Sequence, residues 1–125
     1  MTRILLVEDD VDAQGVMAEV LIDAGYEVDI TDTEDSARDL LTYVVYDLVI
    51  ADALLPDGTG MAVADDARDN DTKALIVTGC AFTLPYGTFD RYEILLKPLP
   101  PNELLDAVAR RVGQPGELNR ETQPN

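Results

Sequence analysis

The sequence predicts an α/β protein in which helices cover both faces of a parallel sheet. Short aliphatic runs alternate with amphipathic stretches from residue 3 to residue 112. Strands and helices that alternate in this way usually form a parallel sheet, because each helix carries the chain back to start the next strand. The chain has 125 residues, of which 46% are hydrophobic, so one domain with a buried core is expected.

Five runs are predicted to be strands. The central ones are continuous aliphatic segments, as in strands buried on both faces, whereas the second alternates around Val28 and Ile30 and is expected nearer an edge. In chain order the predicted strands are Arg3–Val7, Glu27–Thr31, Asp47–Asp52, Ala74–Thr78 and Glu93–Leu96.

Apolar residues at helical spacing predict four helices. They cover about Asp12–Ala24, Thr33–Val44, Met61–Asp69 and Asn102–Val112. In the first helix, Val16 is among the residues expected to face inward. Asp12 is expected to cap its start, and Gly25 to end it.

The stretch between Thr78 and Tyr92 breaks the alternation. A helix is expected at this place, but Pro85 and Gly87 both oppose one. We therefore expect a short or broken helix, or a loop. Its apolar residues Phe82, Leu84, Tyr86 and Phe89 could form an exposed patch for a partner protein or a homodimer.

Charge and composition exclude several classes of function. Nine basic residues against 25 acidic ones give a net charge of −16, which disfavours direct binding to DNA or to anionic membranes. The chain contains no histidine, so histidine base catalysis and the usual zinc sites are excluded. The single cysteine, Cys80, cannot form an internal disulfide and is expected to pack at a strand end.

The ends of the chain suggest where the protein resides and where the domain stops. No signal peptide or membrane-length apolar run is evident, so a cytoplasmic location is expected. Residues 1–113 are predicted to be the folded domain. Residues 114–125 are polar and rich in Gly, Pro, Asn and Gln, and are predicted to be a disordered tail.

Polar side chains follow several of the predicted strands. Glu8 and Asp9 end the first, Asp52 the third and Thr78 the fourth, and Lys97 follows the fifth. The carboxyl ends of parallel strands meet at one edge of the sheet, so these groups should surround one pocket. Each alone has an ordinary structural interpretation, as a solvated loop or a capping residue, but their combination is much less expected by chance.

Such a pocket needs positive charge. Glu8, Asp9 and Asp52 would repel one another in a partly dry site. Mg²⁺ is the natural counter-ion, because it prefers carboxylates, waters and phosphate oxygens. Lys97 adds a second positive charge, and together they would hold a transferring phosphoryl group, for which an aspartate can be the nucleophile.

These residues resemble a known family. Ile4–Asp10 is similar to the opening of response regulator receiver domains, an aliphatic strand that ends in an acidic pair. Residues 47–60, with Pro56 and Gly60 at the expected spacing from Asp52, resemble the phosphorylation motif. Residues 76–79 and 96–104 resemble the two remaining motifs. The resemblance implies a flavodoxin-like sheet of five parallel strands in the order 2-1-3-4-5, with an atypical or shortened fourth helix.

The resemblance also implies a role for each site residue. Asp52 would accept the phosphoryl group, and Thr78 would move to hydrogen-bond it. Lys97 would pair with the carboxylate or phosphate. The Lys97–Pro98 peptide would be cis, which would aim the Lys97 side chain. Mg²⁺ would be held by Asp52, by Asp9 directly, by Glu8 through water and by the backbone carbonyl of Leu54.

The implied function is that of a stand-alone, Mg²⁺-dependent switch in two-component signalling. A histidine kinase or phosphotransfer protein would supply the phosphoryl group, and the signal would pass to a downstream protein, because residues 114–125 cannot form an output domain. We do not expect an enzyme, apart from slow self-dephosphorylation. Where Ile94 stands, the family often has an aromatic residue whose rotamer reports phosphorylation. Tyr92 is nearby but in a different register, so this chain is expected to signal its phosphorylation in another way.

Three alternatives are weighed against this function. A receiver-like binding scaffold that takes no phosphate is suggested by Ile94 and the short 79–96 segment. A Mg²⁺-dependent phosphatase with an aspartate nucleophile often has a second aspartate two residues later, where this chain has Leu54. A flavin protein is disfavoured because the acidic loop after the first strand would repel a phosphate.

Overall fold

The computed structural model describes residues 1–113, so the predicted tail at 114–125 lies outside the described residues. The strands are β1 (Arg3–Val7), β2 (Glu27–Thr31), β3 (Leu48–Asp52), β4 (Leu54–Leu55), β5 (Gly58–Thr59), β6 (Lys73–Thr78) and β7 (Glu93–Leu96). The α-helices are α1 (Val11–Asp23), α2 (Glu34–Tyr43), α3 (Gly60–Asp69), α4 (Thr88–Arg91) and α5 (Pro101–Val112).

Five strands form a parallel sheet in the order β2-β1-β3-β6-β7. This confirms the predicted order, because β6 and β7 are the fourth and fifth strands of the sequence-based assignment. The chain starts in the interior strand β1, moves to the edge strand β2 and then crosses to the other side of β1. The crevice where the winding reverses, at the carboxyl ends of β1 and β3, is where α/β sheets of this type bind ligands.

The two faces of the sheet are covered by different helices. On one face, α1 and α5 pack on Ile4, Leu6 and Ile50. On the other face, α2 and α3 pack on Leu5 and Val49. All five of these strand side chains are fully buried. Because successive strand residues point to opposite faces, a continuous aliphatic run fills both layers, which is why β1 and β3 contain little else.

Two sequence-based expectations about helix α1, its N-cap and its inward face, were wrong in part. Its N-cap is Asp10, whose Oδ1 accepts hydrogen bonds from the backbone N–H groups of Asp12 and Ala13 at 3.0 and 3.2 Å, so Asp12 lies inside the helix. Val16 is 58% exposed, because the inward stripe runs through Met17, Ala18 and Leu21 instead. The expected end is confirmed, since Gly25 follows the helix with a φ of 102°.

The segment between β6 and β7 is irregular, as the sequence predicted. It contains a 3-10 turn at Ala81–Thr83 and the single-turn helix α4. Phe82, Tyr86 and Phe89 are exposed, at 99%, 107% and 61%, and are called the aromatic patch below. Leu84 does not belong to this patch, because it packs against the core.

Cys80 is also exposed, so the expectation that it packs at the strand end was wrong.

No helix within residues 1–113 is long and apolar enough to cross a membrane.

Candidate functional site

The three main site residues are positioned by the sheet. Asp52 is the last residue of β3, while Glu8 and Lys97 directly follow β1 and β7. The hydrogen-bond pattern of the sheet continues into these positions, because Glu8 N–H donates to Thr31 O at 3.0 Å and Lys97 N–H to Thr78 O at 2.9 Å. The side chains therefore project from ordered backbone at one edge, as the sequence predicted.

Lys97 lies between two carboxylates. Its Nζ donates to Asp52 Oδ2 at 2.7 Å and is 2.5 Å from Glu8 Oε1. The second contact is an ion pair without the alignment of a hydrogen bond. The Lys97–Pro98 peptide is cis, as the resemblance implied.

Glu8 is the buried acid of the site, with 1% of its surface exposed. Burial raises the pKa of Glu8 to about 7; the nearby Asp52 adds to this rise, and Lys97 opposes it. Glu8 Oε2 accepts a hydrogen bond from the Asp10 N–H at 3.3 Å. At neutral pH Glu8 is therefore only partly ionised, and a cation bound at the site would favour its charged form.

Asp52 behaves in the opposite way. Partial burial disfavours its ionisation, but hydrogen bonds from Glu8, Lys97 and the Leu54 N–H outweigh burial and lower the pKa of Asp52. The Leu54 N–H donates to Asp52 Oδ1 at 3.1 Å, while Oδ2 faces Lys97. At neutral pH Asp52 is therefore a carboxylate held by donors on both oxygens.

The three acids could hold one metal ion. Carboxylate oxygens of Glu8, Asp9 and Asp52 all lie within 4.8 Å of one another. Two oxygens on opposite sides of one Mg²⁺ are about 4.2 Å apart, so the set needs to close only slightly around an ion. Three carboxylates against the single ammonium of Lys97 leave an excess of negative charge that a divalent cation would offset. The residues present therefore fit Mg²⁺.

Thr78 is near the site but is engaged elsewhere. It is buried, and its hydroxyl accepts a hydrogen bond from Cys80 N–H at 3.1 Å and donates to Cys80 O at 3.3 Å. The structure thus brings Glu8, Asp9, Asp52 and Lys97 together. The Thr78 hydroxyl is bonded to its own loop and not to a site carboxylate.

The start of α3 approaches the site closely. A Cβ atom on Gly60 would lie 2.1 Å from the Asp52 carbonyl oxygen, and the Gly60 N–H donates to Ala53 O at 3.1 Å. Only glycine leaves room for the backbone to return so close to β3. The sequence shows Gly60 at the spacing from Asp52 that the phosphorylation motif has, but the steric reason for a glycine there is visible only in the structure.

Supporting contacts near the site were missed by sequence analysis. Asp57, in the turn between β4 and β5, accepts hydrogen bonds from the N–H groups of Glu34 and Asp35 at 2.7 and 3.0 Å. In return, Glu34 Oε1 accepts from the Thr59 N–H at 3.0 Å. The hairpin that follows Asp52 is thereby fixed to the start of α2. Because the partners are more than 20 residues apart, no local sequence signal could have shown this.

Comparison with known proteins identifies the family. The family model described as the response regulator receiver domain matches residues 4–109. The response regulator receiver protein CpdR of Brucella abortus is 36% identical over 83 residues, covering 65% of this chain and 69% of CpdR. The transcriptional regulatory protein DltR of Streptococcus agalactiae is 27% identical over 117 residues, which cover 90% of this chain but 52% of DltR. The chain thus spans about half the length of DltR.

Solved structures give the same result. A CheY-like receiver domain protein from Methanospirillum hungatei superposes with a TM-score of 0.81 at 25% identity, covering 97% of this chain and 98% of the other. The response regulator TrrA from Thermotoga maritima, solved in complex with Mg²⁺ and BeF, gives a TM-score of 0.79 at 28% identity, with coverages of 88% and 98%. With its sheet order, its acidic edge and these matches, the chain belongs to the response regulator receiver domain family.

Proposed function

We propose that Asp52 accepts a phosphoryl group from a histidine kinase or a phosphotransfer protein, in a reaction that requires Mg²⁺. The observation that supports this most is the contact of Lys97 Nζ with Asp52 Oδ2 at 2.7 Å, beside the acids Glu8 and Asp9. A nucleophilic carboxylate with an ammonium and a metal site around it is what phosphoryl transfer to an aspartate needs.

The phosphoryl transfer would use three side chains of the site. An Asp52 carboxylate oxygen attacks phosphorus, the bond from phosphorus to the donor nitrogen breaks, and that nitrogen keeps the electron pair and takes up a proton. The lowered pKa of Asp52 keeps its carboxylate free of a proton for this attack. Lys97 then pairs with a phosphoryl oxygen, and the Thr78 hydroxyl leaves Cys80 to donate to another.

The metal would be held by Asp52, by Asp9, by Glu8 through water, and by the backbone carbonyl of Leu54. When bound, Mg²⁺ offsets the charge of the acids and of the phosphoryl oxygens. The acidic cluster of Glu8, Asp9 and Asp52 supports this assignment. The magnesium in the TrrA structure supports it by likeness, since TrrA has the same fold.

Two competing functions remain distinguishable. A phosphatase would need a proton donor for its leaving group, and Leu54 stands where such enzymes often have their second aspartate. A scaffold that takes no phosphate would not need Lys97 in contact with Asp52. Steady turnover of a phosphoester would favour the first, and absence of Mg²⁺ binding would favour the second.

The experiment is a titration of the ¹⁵N-labelled protein with Mg²⁺ and then with beryllofluoride, which mimics a phosphoryl group. We expect saturable shifts at the amides of Asp9, Ala53 and Thr78 in the wild type. The Asp52→Asn variant should lose the beryllofluoride response, whereas Asp106→Asn, an exposed acid of α5, should keep it. A response that is unchanged in Asp52→Asn contradicts the proposal.

For the output we propose that a partner protein or a second copy of the chain binds the aromatic patch. Its support is the exposure of Phe82, Tyr86 and Phe89. Mass measurement by light scattering, with beryllofluoride and without it, tests whether a second copy of the chain binds there. If the wild type associates, Phe82→Ser with Tyr86→Ser should abolish association, while Tyr43→Ser, an exposed aromatic of α2, should not. Association that survives the double substitution rules out a homodimer at this patch.

A further inference from the structure

Basic residues are unevenly placed in this acidic protein. The chain has only nine, yet four line a single cleft of about 280 Å³. This basal cleft is lined by Arg68, Asp71, Thr72, Lys73, Ala74, Arg91, Tyr92 and Arg111. In a chain with a net charge of −16, such a concentration of cations calls for a physical explanation.

The basal cleft lies at the opposite end of the sheet from Asp52. In the pairing of β3 with β6, Lys73 is opposite Leu48, whereas Val77 is opposite Asp52. The two pairs are four residue steps apart along the strand, which corresponds to roughly 13 Å. A ligand in the cleft would therefore be distinct from anything bound at Asp52, and its existence does not depend on the function proposed above.

Within the part of the chain that the structure describes, two of the four cations have no acidic partner. Arg111 is paired with Glu93 at 2.9 Å, and Arg91 is 3.6 Å from Asp65, with both side chains about half exposed. Among residues 1–113, no carboxylate lies within 4.0 Å of the charged groups of Arg68 or Lys73. Among the described residues, Asp71 is the one acid of the lining; with Asp65 and Glu93 set against Arg91 and Arg111 as well, the cleft keeps a positive charge.

The backbone that carries these cations is fixed. In the turn from α3 to β6, the Asp71 N–H donates to Arg68 O at 3.0 Å and the Thr72 N–H to Ala67 O at 2.8 Å. The Lys73 ammonium donates to Arg111 O at 2.7 Å, which leaves two of its three N–H groups free for a ligand. The cleft is thus built between the ends of α3 and α5 and the start of β6.

Helix dipoles explain only part of this arrangement. Cations in the last turn of a helix offset the negative charge at its C-terminus, and Arg68 and Arg111 lie in such turns. Lys73 begins a strand, so this explanation does not cover it.

We propose that the basal cleft binds a small, multiply charged oxyanion, such as a phosphate ester or a dicarboxylate. Guanidinium groups present paired N–H donors that match phosphate and carboxylate oxygens, and the Lys73 ammonium adds a point charge. The volume of about 280 Å³ suits a compact ligand. A nucleic acid is excluded because the rest of the surface is strongly acidic.

The test is a titration of the ¹⁵N-labelled chain in metal-free buffer, with inorganic pyrophosphate in one arm and malonate in the other. We expect saturable shifts at the amides of residues 71–74 and 91–92, with none at Ala53 and Thr78. Saturation by pyrophosphate alone assigns a phosphate ligand, and saturation by both assigns oxyanions in general.

Substitutions identify the residues responsible. Arg68→Gln combined with Lys73→Gln should weaken pyrophosphate binding by about tenfold or more, because two positive charges without a carboxylate partner are removed. The control is Arg38→Gln, an exposed arginine of α2 that is paired with Glu34 at 3.4 Å, and it should leave the affinity unchanged. Absence of saturation in both arms, or equal weakening by Arg38→Gln, overturns the proposal.

Discussion

Replacing Glu8 by glutamine should stabilise the metal-free protein at alkaline pH. Glu8 is buried, and burial raises its pKa to about 7, with Asp52 adding to the rise and Lys97 opposing it. The folded state therefore holds this proton more tightly than the unfolded chain does. This contribution to stability is complete below the unfolded-chain pKa of about 4.5 and is lost as the pH rises through about 7.

The expected size follows from the shift. A rise from 4.5 to about 7 corresponds to about 3 kcal/mol of unfolding free energy, at about 1.4 kcal/mol for each pH unit. Glutamine has the shape of the protonated acid, so Glu8→Gln should match the wild type at low pH. At about pH 8 it should be more stable by up to about 3 kcal/mol, which is a shift of roughly 1–3 M in the urea midpoint.

The assay is urea denaturation of both proteins in the presence of a chelator, from about pH 5 to about pH 8. Comparing the two proteins cancels the other titrating groups. The exposed Glu19→Gln in α1 serves as the control and should follow the wild type throughout. Parallel curves for wild type and Glu8→Gln, or a less stable variant at high pH, would refute the assigned environment of Glu8.

Two further perturbations test the scaffold of the site. Gly60→Ala would place a Cβ atom 2.1 Å from the Asp52 carbonyl oxygen and should cost about 2 kcal/mol or more in urea denaturation. Gly15→Ala in α1 has no atom within 4 Å of the new carbon and should instead stabilise by about 0.5–1 kcal/mol, so equal effects would be inconsistent with the close approach. Asp57→Ala removes the acceptor for the Glu34 and Asp35 N–H groups and should speed hydrogen exchange at those two amides, whereas unchanged protection would show that Asp57 does not fix the hairpin to α2.

Much of the site could be predicted because it depends on strand ends. The aliphatic runs locate β1, β3 and β7, and parallel pairing then brings Glu8, Asp52 and Lys97 to one edge. Only the end of each run and the direction of the strands were needed for this. The strand order came from the resemblance and not from the residues themselves.

Other features depend on contacts that no local pattern encodes. Asp10 caps α1 because β1 ends at Val7 and the chain turns at once, but a run of acids offers several equivalent caps. Cys80 lies in a segment without hydrophobic periodicity, so nothing in the sequence indicated that its side chain is exposed. Tyr92 is buried and donates its hydroxyl proton to Asp65 on α3, a contact between distant parts of the sequence.

Mapping of the phosphorylated residue tests the central claim most directly. The wild type would be treated with acetyl phosphate and Mg²⁺, digested, and searched for an acyl phosphate by mass spectrometry. We predict one modified peptide containing Asp52, which is absent when Mg²⁺ is withheld and absent in Asp52→Asn. A phosphoryl group on another residue, or none on the wild type under these conditions, would contradict the assignment of Asp52 as the acceptor.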